Sequence, residues 1–276
     1  MSAHPRDDSH AARHIASLRR RAETLYPLRD ARLTIPGAAQ PYLIALPANP
    51  DEPLDRFTVT LPPQSESEPS HTSAEARSSA QEAARMVAAG VHMPYWATLW
   101  ASGQALAEAL LLARGDMTGW STLELGCGLG VTATAALERG LSLLAADCFT
   151  EALLVCRYNT LRNAGRACPT IALDWRTPAG RAACLARGPF DLLLAADVLY
   201  EEEDIAPLLD LAPRLLAPGA RFWLAEPGRR ASQAFVAAAL ARGWTDEPAV
   251  YERDWPELGV ARVTVHRFLP SGRDIL

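Results

Sequence analysis

Leu123-Glu124-Leu125-Gly126-Cys127-Gly128-Leu129-Gly130 is an apolar run that enters a loop with glycine at every second position, and a helix is predicted to follow over 129–139. Lacking a Cβ, Gly126, Gly128 and Gly130 let the backbone turn sharply and approach a ligand closely. A dinucleotide fingerprint would carry its third glycine at 131, where this chain has Val131. Glu124 puts a carboxylate at the loop entrance, which repels a pyrophosphate and welcomes a cation. The segment therefore reads as a cofactor site for a sulfonium bearing an α-amino group rather than for NAD.

Twenty-one residues beyond Gly126, Asp147 closes the apolar run that starts at Leu141. A carboxylate at the end of a second strand is placed to accept from both hydroxyls of a ribose. From residue 91 onward strands and helices alternate, with strands expected at 121–125, 141–147, 169–174, 190–196 and 220–226 and helices near 129–139, 150–164, 203–216 and 231–242. Right-handed crossovers then give a parallel sheet covered by helices on both faces. Arg262 to His266 alternates apolar and polar residues as an antiparallel or edge strand does, and the total is expected to reach seven strands. Pro207 fits the first turn of the fourth helix, whereas Pro213 should kink that helix or end it early.

The region before residue 91 is expected to be an accessory segment. Apolar residues at helical spacing predict a helix over 9–25, beside the basic run Arg19-Arg20-Arg21. Strands are expected at 32–35 and 42–46 about the Pro36-Gly37 turn, with a third at 57–61. The stretch near 62–79 is rich in Pro, Ser and Glu and reads as a linker, and Ser79 with Glu82 has the spacing of a capping box for a helix ending at Gly90.

With 276 residues and an apolar fraction of 49%, the chain has enough apolar surface for a full core. Its net charge of -5 leaves no nucleic-acid footprint, although all 27 basic residues are arginine. Five cysteines without metal spacing predict free thiols in a reducing compartment and no metal. No apolar signal region or membrane-length run is present, so the cytoplasm and no membrane partner are expected. A monomer is expected as well.

The loop, Glu124 and Asp147 together resemble motif I and the acidic loop of class I (seven-strand) S-adenosylmethionine-dependent methyltransferases. The stretch from Met93 to Leu106, including Tyr95-Trp96 and Trp100, looks like the helix that precedes motif I in methyltransferase family 16, which includes protein lysine methyltransferases. Leu173-Asp174-Trp175 and Asp197-Val198-Leu199-Tyr200 fit the same pattern, the latter as its D-x-x-[FY] signature. The similarity covers about residues 93 to 245. It implies a Rossmann-like seven-strand α/β sheet, S-adenosyl-L-methionine as cofactor, and cofactor contacts at Trp100, Gly126, Cys127, Gly128, Asp147, Trp175 and Ala196.

The residues support most of these assignments on their own. Trp175 follows a strand at the carboxyl edge of the sheet, where an indole can pack on a purine while Asp174 accepts from the adenine amino group. Trp100 precedes a helix whose first N–H groups can meet a carboxylate. Cys127 is read as a backbone contact, not a nucleophile. Asp197 and Tyr200 follow the buried strand 190–196 and are expected to orient the acceptor amine, with Asp197 receiving its proton through water. Glu201, Glu202, Glu203 and Asp204 extend this loop with negative charge that either steers a basic partner or is simply solvated. Arg229 is a candidate contact for a substrate anion. The expected reaction is N-methylation, most simply of a protein lysine; a small-molecule N- or O-methyltransferase and a non-catalytic binder of the same cofactor remain open.

Overall fold

The computed structural model describes residues 7–53 and 93–270. The strand at 57–61, the linker at 62–79 and the helix ending at Gly90 lie outside the described residues. At the heart of the rest, β3 (Ser121–Leu125) lies parallel to β4 (Ser142–Asp147) on one side and β6 (Phe190–Ala196) on the other. The sheet order is β5-β4-β3-β6-β7-β9-β8, with β5 at Thr170–Ala172, β7 at Leu216–Glu226, β8 at Ala249–Trp255 and β9 at Gly259–Phe268. Strands β5, β4, β3, β6 and β7 are parallel to their neighbours, and β9 runs antiparallel to both β7 and β8. The chain builds outward from β3 to β5, then returns to start again at β6. Where that order reverses, the carboxyl ends of β3 and β6 part and leave a crevice.

Both faces of the sheet are covered, which is why its strands read as continuous apolar runs. Leu192 and Leu194 pack with Leu106 and Leu110 of α2 (Ala101–Leu111) and with α3 (Val131–Glu138). Their neighbours Leu193 and Ala195 point the other way, onto α6 (Ile205–Leu215) and α7 (Arg230–Ala241). The period of two along one strand thus serves two cores.

Local differences from the expected boundaries have plain causes. α6 runs two residues past Pro213 and stops at Leu215, because the missing N–H and ring clash of proline are tolerated only near a helix end. β7 then begins at Leu216 rather than 220, and β5 spans three residues instead of six. Two elements were not anticipated. α5 (Pro178–Leu185) is a short helix capped by Thr177, whose hydroxyl accepts from Gly180 N at 3.0 Å. β8 is an edge strand whose Glu252, Arg253 and Asp254 are all exposed, so it lacks an apolar signature.

Before the sheet, α1 (Asp7–Glu23) leads into an antiparallel hairpin of β1 (Leu28–Leu33) and β2 (Tyr42–Pro47). β1 thus starts earlier than the expected 32–35. Leu33, Ile44 and Leu46 share a core with Ala135 of α3 and with Ala152 and Val155 of α4 (Thr150–Ala164). Among the described residues no helix is long and apolar enough to cross a membrane.

Candidate active site

A cavity of about 790 Å³ opens at the carboxyl ends of the parallel strands. Trp100, Glu124, Gly126, Cys127, Gly128, Asp147, Asp174, Trp175, Ala196 and Tyr200 all line it, so ten of the eleven residues proposed from sequence come together there. Asp197 is not among its lining residues.

The glycine loop is tied to the neighbouring strand by Gly126 N and Cys127 N, which both donate to Ala146 O, at 2.9 and 3.0 Å. Gly126 has φ +70°, and a Cβ there would lie 2.8 Å from Val198 Cγ1. Gly130 also takes a positive φ, and a Cβ there would meet Cys156 Sγ at 2.7 Å. The third glycine therefore seats the start of α3 against α4. Its early position reflects helix packing rather than a dinucleotide.

Two carboxyl groups face this loop from beneath. Asp147 accepts from Gly128 N at 2.9 Å and from Phe149 N at 3.0 Å, and these bonds partly offset the burial that raises its pKa. A carboxylate has about four lone-pair directions, so two stay available for a diol. Glu124 is fully buried, and burial, joined by the nearby Cys168 and Asp147, pushes its pKa well above the usual range. Its Oε2 has no hydrogen-bond partner among the described residues. A buried polar atom left unpaired in this way calls for a ligand donor.

Opposite the loop, Trp100 precedes α2 and its indole N–H donates to Tyr95 O at 2.9 Å. The hydroxyl of Ser102, buried in the first turn of α2, also lacks a partner among the described residues. At the far end, Trp175 is largely embedded in the core, with the Arg176 guanidinium 5.5 Å from its ring centre. Asp174 Oδ1 already accepts from Arg176 N and Nε at 3.0 and 2.8 Å. A purine amino group would share this carboxylate with Arg176.

The loop after β6 departs most from its sequence reading. Asp197 is buried with φ +55°, a left-handed conformation uncommon for a residue with a side chain. Its Oδ1 and Oδ2 both receive Arg229, from Nε at 2.7 Å and from an Nη at 3.3 Å. The carboxylate expected to take a proton from the acceptor is instead half of a bidentate ion pair. The guanidinium of Arg229 stands 5.6 Å from the Trp100 ring centre and 5.4 Å from that of Tyr200. Tyr95 completes the group, its ring centre 5.0 Å from Tyr200 and 6.1 Å from Trp100. Burial raises the Tyr200 pKa, with Asp197 adding to the effect, so the phenol stays neutral. Of the acidic run, Glu201, Glu203 and Asp204 line the cavity, and Asp204, which is buried, accepts from Tyr200 N and Glu201 N, each at 3.1 Å.

Residues 84–240 match the lysine methyltransferase family, methyltransferase family 16. The chain is 34% identical over 139 residues to the electron transfer flavoprotein beta subunit lysine methyltransferase of Rattus norvegicus, covering 49% of this chain and 51% of that protein. It is 27% identical over 137 residues to the histone-arginine methyltransferase METTL23 of Mus musculus, covering 48% and 53%. Over 117 residues it is 28% identical to the ubiquinone biosynthesis O-methyltransferase of Pseudomonas aeruginosa (strain LESB58), covering 42% and 48%. The chain thus spans about half the length of the curated relatives it matches. With more than half of its residues matched by one family model, the chain belongs to the lysine methyltransferase family.

Proposed function

We propose that this chain transfers a methyl group from S-adenosylmethionine to an amine, and that the amine is a protein lysine. One observation carries the reading: the unpaired, buried Glu124 Oε2 beside Asp147 in a cavity whose other end is walled by Tyr95, Trp100 and Tyr200. The donor set fits the cofactor. Glu124 would receive the α-amino group, Asp147 the ribose diol, the first turn of α2 the carboxylate, and Asp174 with Trp175 the adenine. When bound, S-adenosylmethionine supplies a methyl carbon on a sulfonium, already electrophilic enough to be displaced without further activation.

What the chain adds is placement and dryness. Tyr200 and Trp100 border the route by which an acceptor would reach the methyl group, and their rings exclude water from it. The incoming amine has an ordinary pKa of roughly 10.4 and must shed a proton to solvent before its lone pair can form the new C–N bond as the C–S bond breaks. A low-polarity wall favours that neutral form. Glu201 and Glu203 on the cavity wall favour a basic partner. The relatives named for lysine methylation support the acceptor.

Because the chain contains no lysine, labelled S-adenosylmethionine cannot mark its own lysines, and a lysate assay is free of that background. Label should appear in a macromolecular fraction and be recovered as methyl-lysine after hydrolysis. Label confined to small molecules would replace the lysine reading with a metabolite acceptor. Tight cofactor binding with no transfer to any fraction would leave a binding protein.

A further inference from the structure

A line of buried polar groups that the methyl-transfer reading does not use runs from β9 to the edge of the cavity. His266 on β9 is buried, with Asp246 Oδ2 2.6 Å from its Nδ1 and Glu226 Oε1 3.6 Å from its Nε2. Asp246 is itself fixed, since its Oδ1 accepts from Arg267 N at 3.0 Å. An ionised carboxylate only accepts, so Nδ1 keeps its hydrogen and the proton that His266 can lose is the one on Nε2. Glu226, at the end of β7, turns its other oxygen to the loop beyond and accepts from Gly228 N at 2.6 Å. Gly228 has φ +91° and no atom closer than 3.9 Å to where a Cβ would stand, so sterics alone restrain this loop little. Arg229 comes next: its Nε donates to Asp197 Oδ1 at 2.7 Å, and its guanidinium stands 5.6 and 5.4 Å from the ring centres of Trp100 and Tyr200 on the cavity wall.

The Nε2 proton decides which force acts on Glu226. The imidazolium presents an N–H to Oε1 and holds the carboxylate where Oε2 meets the Gly228 amide. Neutral His266 presents a lone pair to the same oxygen, and two acceptors facing each other in a buried site repel. Resting on the methyl-transfer reading above, we propose that His266 is a positioning residue for that reaction: its Nε2 proton holds Glu226 against the Gly228 amide and so sets Arg229 at the cavity edge. His266 acts only through Glu226. The charged groups that govern its ring are Asp246, just before β8, and Glu226 on β7, while α7 meets this side of the sheet through Phe235, 6.0 Å from the Phe268 ring on which His266 stacks. The two carboxylates raise the His266 pKa to about 9, so the positioning form prevails near neutrality and is lost as pH rises through that value. An acceptor amine gains its neutral, reactive form over the same range. The two effects oppose each other, and methyl transfer should pass through a maximum.

The test first reads the relay in the full chain, without an acceptor. The Trp100 indole N–H resonance, assigned with Trp100→Phe, reports on the Arg229 guanidinium, and the His266 ring resonances, assigned with His266→Gln, report on the titration. In wild type both should move with one midpoint, at about pH 9. Glu226→Gln keeps an acceptor for Gly228 N but removes the charge on which His266 acts, so His266 should titrate at lower pH and Trp100 should no longer follow it. Labelled transfer to the macromolecular fraction of a lysate, at saturating S-adenosylmethionine, supplies the second readout. Its fall above about pH 9 should vanish in His266→Gln, while S-adenosylhomocysteine affinity stays within about twofold of wild type. A Trp100 resonance that ignores the His266 titration in wild type, or follows it undiminished in Glu226→Gln, would overturn the proposal, as would a descending limb that persists in His266→Gln. Absence of transfer by wild type at every pH would instead sink the methyltransferase reading, and the resonance titration would still decide whether the relay exists.

Discussion

Glu124 holds a carboxyl where burial opposes its charge, and its Oε2 has no partner among the described residues, so a cationic ligand there would change its protonation. With its pKa raised by burial, the ligand-free group holds its proton to higher pH than a solvated glutamate. A cationic amino group favours the carboxylate, so binding S-adenosylmethionine should release protons, and affinity should rise with pH through the elevated range. Asp147, also raised by burial, contributes in the same sense. Calorimetry in two buffers of different ionisation heat measures the release directly. Glu124→Gln should reduce it and weaken binding by about 1.5–3 kcal/mol, the value of a hydrogen bond to a charged group; an unchanged proton count and affinity would remove Glu124 from the cofactor site. Asp197 tests the other end. Since its carboxylate positions Arg229 rather than facing the cavity, Asp197→Ala should leave cofactor affinity within a few-fold while slowing methyl transfer by about two orders of magnitude, the scale of a misplaced acceptor. Equal losses in both measurements would show that this loop supports the cofactor instead.

Between elements, the hairpin is held to the cofactor loop by α4 through a pair of asparagines. Asn159 accepts from Ala45 N at 2.8 Å and donates to Ala45 O and Leu129 O, both at 2.9 Å. One turn on, Asn163 accepts from Leu43 N at 2.7 Å and donates to Leu43 O at 3.1 Å. Four helical residues rise about 6 Å and two strand residues about 6.8 Å, so amides at i and i+4 match the exposed groups of a strand edge. Helix α4 thus closes an edge that would otherwise be open. Asn159→Ala leaves buried backbone groups of Ala45 and Leu129 unpaired and should lower stability by about 1–3 kcal/mol in denaturant titrations, with Asn163→Ala, at a less buried site, losing less. These ties were illegible in the sequence because their partners lie 114 and 120 residues away. By contrast β3, the glycine loop and Asp147 were legible, since an apolar run, positive-φ glycines and a terminal carboxylate are local signals. α5 also carries a local signal, Thr177 followed by Pro178 at the helix start. β8 carried none, its charged edge resembling a loop. For Asp197 no local signal points to its partner, because Arg229 lies beyond an intervening helix and strand.

Across the whole molecule, the last two strands are fastened to the sheet by an ion cluster that makes global stability depend on pH. His266 on β9 lies between Asp246, 2.6 Å from Nδ1, and Glu226 at the end of β7, 3.6 Å from Nε2. Burial disfavours the charged imidazole, but the hydrogen bonds and charges of Asp246 and Glu226 outweigh it and raise the pKa to about 9. Glu226 in turn accepts from Gly228 N at 2.6 Å, so the cluster reaches the loop that carries Arg229. An unfolded histidine titrates near 6.5, about two and a half units lower. The stabilisation from this proton is therefore complete below about pH 6.5 and fades as pH rises through about 9. The buried thiol of Cys127 acts in the same direction at higher pH: it is pushed up to about 12, whereas an unfolded thiol ionises near 8.5. Thermal unfolding of wild type alone would mix the two effects, and His266→Gln separates them, because the cysteines are common to both proteins. The wild-type midpoint should exceed that of His266→Gln at pH 6.5, and the gap should narrow at pH 8 and nearly close by pH 9.5. A gap that stays constant across this range would mean that His266 contributes by packing on Phe268, stacked at 5.3 Å, rather than by its charge.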